Sequence, residues 1–85
     1  MIAETHKTIH IRYYAVLREQ RGVGDENFKT KARTPRELFD ELNQKYRFGL
    51  PLLSLRVSVN DCFQSWDAEL NDQDQIVFIP PVAGG

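Results

Sequence analysis

The chain contains a single cysteine, Cys62, so neither an internal disulfide nor a cysteine-paired zinc site can form within it. It has no excess of charge of either sign: eleven Lys and Arg stand against twelve Asp and Glu, leaving −1 at pH 7. No global field is available to hold nucleic acid or an anionic membrane, and partners must be recognised locally. No stretch approaches the ~18 apolar residues needed to span a bilayer. The N-terminal stretch Met1 to Thr8 carries two charged side chains and no apolar run, so neither export nor anchoring is indicated, and a cytoplasmic location is the expectation. Repeats and low-complexity blocks are absent, as is a Gly-rich loop opening a helix.

What remains is an ordinary composition for a small globular domain. At 85 residues the chain has room for one domain only. The 41% of hydrophobic residues, including five Phe, three Tyr and one Trp, can build a core.

Ile9, Ile11 and Tyr13 alternate with His10, Arg12 and Tyr14, which predicts a strand at 8 to 14 with one buried face, after a loose lead-in over 1 to 7. Ala15 to Gln20 predicts a short helical turn, followed by the Gly22-Val23-Gly24-Asp25 loop and a weaker strand at Asn27 to Ala32, antiparallel to the first. Thr34-Pro35-Arg36-Glu37 combines a capping Thr, a first-turn Pro and a Glu three residues on, so a helix should run from 35 to 46. Leu38, Leu42 and Tyr46, with Phe39 beside them, form its apolar stripe, and Gly49 with Pro51 marks its stop. Strands follow at Arg56 to Asn60, Cys62 to Gln64 and Gln75 to Ile79, with turns at Asn60-Asp61 and Asn71 to Asp74. A strand pair, one long helix and further strands is an α+β order, a mixed sheet packed on one main helix.

Side-chain constellations are unpromising. His6 and His10, four apart near one end, do not match a metal-binding helix pattern, and no metal site is expected. Cys62 reads as an ordinary small apolar side chain, since nothing nearby in sequence would form a thiolate. Glu37 with Glu41, and Asp72 with Asp74, read as solvated helix and turn residues rather than acid/base pairs. Without an independent active site, catalysis by the chain alone is not expected.

The ending Pro80-Pro81-Val82-Ala83-Gly84-Gly85 is more informative. The proline pair blocks ladder pairing and favours an extended conformation, and six extended residues reach roughly 20 Å. Two glycines, having no Cβ, can enter a narrow channel and leave the terminal carboxylate open to attack. The plain alternative is a frayed chain end. The expected division is therefore a lead-in at 1 to 7, a domain at 8 to 79 and a reactive tail at 80 to 85.

Tyr13-Tyr14-Ala15-Val16-Leu17-Arg18-Glu19, the capped helix from Thr34, Val59-Asn60 and the ending Ile79 to Gly85 together resemble the small subunit of molybdopterin synthase, a ubiquitin-like sulfur carrier. The likeness runs from Ile9 to Gly85, and the Pro-Pro-Val-x-Gly-Gly ending is its most specific part. The resemblance implies a β-grasp fold. It also implies a cycle in which an ATP-dependent adenylating enzyme activates Gly85, a sulfur donor converts it to a thiocarboxylate, and the large synthase subunit delivers the sulfur to cyclic pyranopterin monophosphate. Gly84 would be the flexible partner of Gly85, and Pro80, Pro81, Val82 and Ala83 the spacer inside the partner. Tyr14, Phe63 and Ile79 would form an exposed apolar patch at the tail's root, with Arg18 at its rim. Strand parity alone puts Tyr14 outward; continued alternation from Val57 and Val59 would put Phe63 inward, but the turn at Asn60-Asp61 breaks that register, and the resemblance places Phe63 at the exposed interface. No cofactor is expected to stay bound, ATP being used by the activating enzyme. Ala83 stands where relatives often have Ser or Thr, which leaves open a related carrier branch serving thiamine or cysteine biosynthesis; a protein modifier and an inert-tailed interaction module are the further alternatives.

Overall fold

The computed structural model describes residues 6–80. The elements are β1 (Lys7–Tyr13), α1 (Ala15–Arg21), β2 (Asp25–Thr30), α2 (Pro35–Tyr46), a 3-10 turn at Leu52–Ser54, β3 (Arg56–Val59), β4 (Cys62–Gln64) and β5 (Gln75–Ile79). The five strands form one sheet in the order β2-β1-β5-β3-β4. β1 and β5 are parallel at its centre and every other pair is antiparallel. With α2 as the long helix packed on it, this is the mixed sheet of the ubiquitin-like β-grasp that the resemblance implies. No helix among the described residues is long and apolar enough to cross a membrane.

Helix α2 begins and ends for identifiable reasons. The Thr34 side chain accepts the Glu37 amide at 3.2 Å, and Pro35 occupies the first turn. The reciprocal half of the expected capping box is displaced by one residue: the Glu37 carboxylate accepts the Arg33 amide at 2.9 Å rather than that of Thr34. The helix stops at Arg47, which takes a left-handed conformation (φ 54) and returns its amide to the Asn43 carbonyl at 2.7 Å. Gly49, expected to mark the stop, lies two residues beyond and is tied back to the Asn43 side chain.

The inner face of the sheet meets α2 through Ile9, Ile11, Tyr13, Val57, Val59, Ile76 and Phe78, against Leu38, Phe39 and Leu42. Leu38 and Leu42 are fully buried, each worth roughly 1.5–3 kcal/mol of transfer free energy. Phe39 sits among aromatic rings, 5.2 Å from Phe78, 5.9 Å from Trp66 and 6.1 Å from Phe48. The core also takes Leu17, Phe28, Leu55 and Leu70 from outside the expected stripes.

Strand boundaries depart from expectation at both ends of β1 and of β2 and at the end of β3, with β2 stopping at Thr30 rather than Ala32 and β3 at Val59 rather than Asn60. β1 starts at Lys7, whose ammonium donates to the Ala32 carbonyl at 3.0 Å and so belongs to the domain rather than to a lead-in. It ends at Tyr13, because Tyr14, still extended, is the N-cap of α1. β2 starts two residues earlier than expected, at Asp25, because its ladder with β1 runs from Arg12↔Asp25 to Lys7↔Thr30. Gly22 closes α1 in the left-handed region (φ 89), with its amide on the Arg18 carbonyl.

A polar cluster joins these elements. The buried Tyr13 hydroxyl donates to Glu26 Oε2 at 2.6 Å, and Arg21 holds the same carboxylate with two bonds of 2.9 and 2.8 Å. The Arg21 guanidinium also lies 4.2 Å from the centre of the Tyr46 ring. Burial first, then the Glu26 hydrogen bond, raises the Tyr13 pKa, while Arg21 holds the Glu26 carboxyl below its ordinary range.

Candidate functional site

Pairing partners on neighbouring strands point to the same face, so the register builds the outer face of the sheet residue by residue. Opposite the core-facing Ile11, Ile76, Phe78, Val57 and Val59 lie His10 and Arg12 on β1, Val77 and Ile79 on β5, and Arg56 and Ser58 on β3. Arg12 pairs with Val77, Val77 with Ser58 and Ser58 with Phe63, giving one row across four strands. Arg56 pairs with Ile79 in the next row, and Tyr14 follows Tyr13, the partner of Phe78. Tyr14, Ile79, Val77 and Phe63 therefore share this face around the end of β5.

Phe63 is 65% exposed and Tyr14 45%, whereas Ile79 is half-buried. Arg18 lies one helical turn beyond Tyr14, its amide on the Tyr14 carbonyl at 3.4 Å, and its side chain rests against Gly24, where an added Cβ would come within 3.2 Å of its Nε. Pro80 is buried, so the first residue assigned to the tail is packed on the domain. Pro81, Val82, Ala83, Gly84 and Gly85, the expected spacer and reactive end, lie outside the described residues, as do residues 1–5.

The hairpin that presents Phe63 is fixed by side chains. Asn60 and Asp61 both adopt positive φ (52 and 70), the tight two-residue turn expected between β3 and β4. The Asn60 side chain donates to Asp74 Oδ1 and accepts the Gln75 amide, both at 2.9 Å, and Asp74 Oδ2 accepts the Asn71 amide at 2.8 Å. Asp74 is thus a buried, hydrogen-bonded residue and not the solvated turn residue expected. Asp72 is exposed and accepts the Thr8 amide at 2.7 Å, which lowers its pKa. Glu41 likewise has a structural partner, the Thr30 hydroxyl at 2.5 Å.

His10 is placed between Asn27 and Gln73, its ring nitrogens facing the two amide oxygens, and these contacts raise its pKa. His6 is exposed at the start of the described chain. Cys62 pairs with Val59 across the hairpin but is exposed, not packed as an apolar side chain, because β4 is the edge of the sheet. Among the described residues, no group of three or more His, Cys, Asp or Glu side chains is placed to hold a metal ion.

Arg12 and Arg56 were not among the expected site residues. The Arg56 guanidinium stands 5.8 Å from the centre of the Phe63 ring, and Arg12 shares the outer face with Tyr14, two residues on, whose side chain raises its pKa. The parity of β1 already placed Arg12 outward; the nearness of Arg56 to Ile79 and Phe63 depends on the β3–β5 and β3–β4 registers, which no local pattern announces.

Comparison with known proteins converges on one group. The sequence profile of the ThiS family matches residues 11–85. A protein assigned as subunit 1 of molybdopterin converting factor from Pyrococcus furiosus superimposes with a TM-score of 0.76 at 26% identity, over 89% of this chain and 99% of that one. A chain from the complex of subunits 1 and 2 of the molybdopterin-converting factor of Helicobacter pylori 26695 gives 0.62 at 29% identity, over 92% and 99%. A chain of the Amycolatopsis orientalis BexX/CysO complex gives 0.67 at 25%, over 91% and 99%. No curated protein sequence matches. A family profile spanning the β-grasp domain and the Gly-Gly end together establishes that this chain belongs to the ThiS family of ubiquitin-like sulfur carriers.

Proposed function

We propose that the chain is the sulfur-donating small subunit of a molybdopterin synthase. The observation that carries this reading is the Pro80-Pro81-Val82-Ala83-Gly84-Gly85 ending on a ThiS-family domain. It is supported by similarity to subunit 1 of molybdopterin converting factor from two organisms, one solved with its subunit 2. A carboxylate is a poor electrophile, so a partner enzyme must first attach AMP from ATP to Gly85, releasing pyrophosphate. A sulfur donor then displaces AMP and leaves a thiocarboxylate, whose sulfur is a competent nucleophile toward cyclic pyranopterin monophosphate in the large subunit.

In this reading the division of labour is spatial. Tyr14, Phe63 and Ile79, with Arg18 at the rim, dock the domain beside the root of the tail. From Pro80, which is packed on the domain, Pro81 to Ala83 carry the end away, and Gly84 and Gly85 pass through a channel too narrow for a side chain. Docking at the root is what allows the activating enzyme and the large subunit to reach the same carboxylate in turn. The likeness to a chain of the BexX/CysO complex favours, as a second reading, a carrier that delivers sulfur in another pathway.

Deleting Gly85, or adding one residue after it, should abolish thiocarboxylate formation with the activating enzyme, ATP and a sulfur source while leaving thermal unfolding unchanged. Full loading of either variant would overturn the mechanism. Pterin product formed with the large subunit separates the first reading from the second.

A further inference from the structure

The outer face holds two arginines whose surroundings differ from those of the paired arginines elsewhere in the fold. Arg21 and Arg36 each grip a carboxylate with two bonds, Glu26 at 2.9 and 2.8 Å and Asp67 at 2.8 and 3.1 Å. Arg12 and Arg56 have no carboxylate in such contact among the described residues: Arg12 has Tyr14 beside it and Asp25 as its cross-strand partner without a close ion pair, and Arg56 has the Phe63 ring. Each is also cross-strand partner to an apolar residue, Arg12 to Val77 and Arg56 to Ile79. The two thus stand on either side of the half-buried Val77 and Ile79 of β5, with Phe63 beyond Arg56 on β4. Two strands and two residues apart, their Cα atoms are separated by about 12 Å.

That arrangement constrains whatever covers the face. Any partner that covers the row from Arg12 through Val77 to Phe63 must also strip water from the two guanidinium groups on that face, and a desolvated charge left without an acceptor is costly. Held beside the Phe63 ring, the Arg56 guanidinium has part of its motion already restricted, so pairing it loses less freedom. A polyanion is a poor match: the chain carries −1 overall, and phosphates gain nothing from Phe63 or Val77.

We propose that this face docks onto a protein surface with an apolar centre flanked by two carboxylates, one meeting Arg12 and the other Arg56. The proposal rests on the docking role assigned above to Phe63 and Ile79, and assigns that partner, the large synthase subunit, its complementary chemistry. It makes the association salt-sensitive in spite of the chain's near-zero net charge.

The test is binding kinetics of the full chain to the purified large subunit from the same organism, at low and high salt. Compared are wild type, the double variant Arg12→Gln/Arg56→Gln, and Phe63→Asp, with thermal unfolding of each recorded. The double variant should bind about 100-fold more weakly, its association rate should lose most of its salt dependence, and its unfolding should match wild type. If the double variant does not fold, the single Gln variants carry the test, each weaker by about tenfold. Unchanged affinity and salt dependence in the arginine variants, with binding lost in Phe63→Asp, would overturn the carboxylate proposal and leave the docking role standing. Unchanged affinity in all variants would overturn both. Self-association of wild type that Phe63→Asp abolishes would make a second copy the occupant and would also overturn the proposal.

Discussion

The two faces of the single sheet obey different rules. On the inner face Ile9, Ile11, Tyr13, Ile76 and Phe78 are essentially fully buried against α2, and each position is occupied by the side chain that an alternating pattern demands. On the outer face the same strands carry a mixture, His10 and Arg12 beside Val77 and Ile79, with Phe63 65% exposed one strand beyond Ser58. The inner face is selected for burial and the outer for what it presents. Stability should therefore respond to the first, and association to the second.

The largest stability effect belongs to the inner face. Leu42→Ala should cost ~2–5 kcal/mol, measured by denaturant unfolding, because it removes a fully buried side chain beneath the sheet. Near-wild-type stability would mean that α2 is not packed as described.

The polar seam at the edge of the core should set acid sensitivity. Held below its ordinary 4.5 chiefly by Arg21, the Glu26 carboxyl contributes stability that is complete above pH 4.5 and is lost as pH falls through its lower folded value. Unfolding measured across that range should show a steeper acid loss for wild type than for Glu26→Gln, which cannot titrate. Equal slopes would remove Glu26 from the acid response. His10 works in the opposite direction: its raised pKa makes its contribution complete below 6.5 and lost as pH rises through the higher folded value.

The smallest stability effect should come from the outer face. Phe63→Ala should change unfolding free energy by no more than about 0.5 kcal/mol, since most of the ring is already in water. A loss comparable to that of Leu42→Ala would erase the distinction between the faces.

This difference also explains what was legible in the sequence. Helix α2 was readable to the residue, because Thr34, Pro35 and the stripe of Leu38, Phe39 and Leu42 are local signals. The inward parity of β1 and the Asn60-Asp61 turn were readable for the same reason. What escaped was tertiary. Asp74 looks like any turn aspartate until the fold brings the Asn60 side chain and the Asn71 amide to it. Cys62 looks apolar until β4 becomes an edge strand. The start of β2 was missed because Asp25 and Glu26 are poor strand formers, held in place by the ladder with Arg12 and Ile11 and, for Glu26, by Arg21 and Tyr13. On the outer face, parity placed Tyr14, Arg12 and Arg56 but said nothing of the nearness of Arg56 to Phe63, which depends on the β3–β4 register.

The central claim, that Gly85 carries sulfur, is tested most directly by the intact mass of the full chain after incubation with the activating enzyme, ATP and a sulfur source. The account predicts a gain equal to one oxygen-for-sulfur exchange, confined to the C-terminal peptide that ends in Gly84-Gly85. An unchanged mass, or a chain joined through its C-terminus to a lysine of another protein, would contradict it.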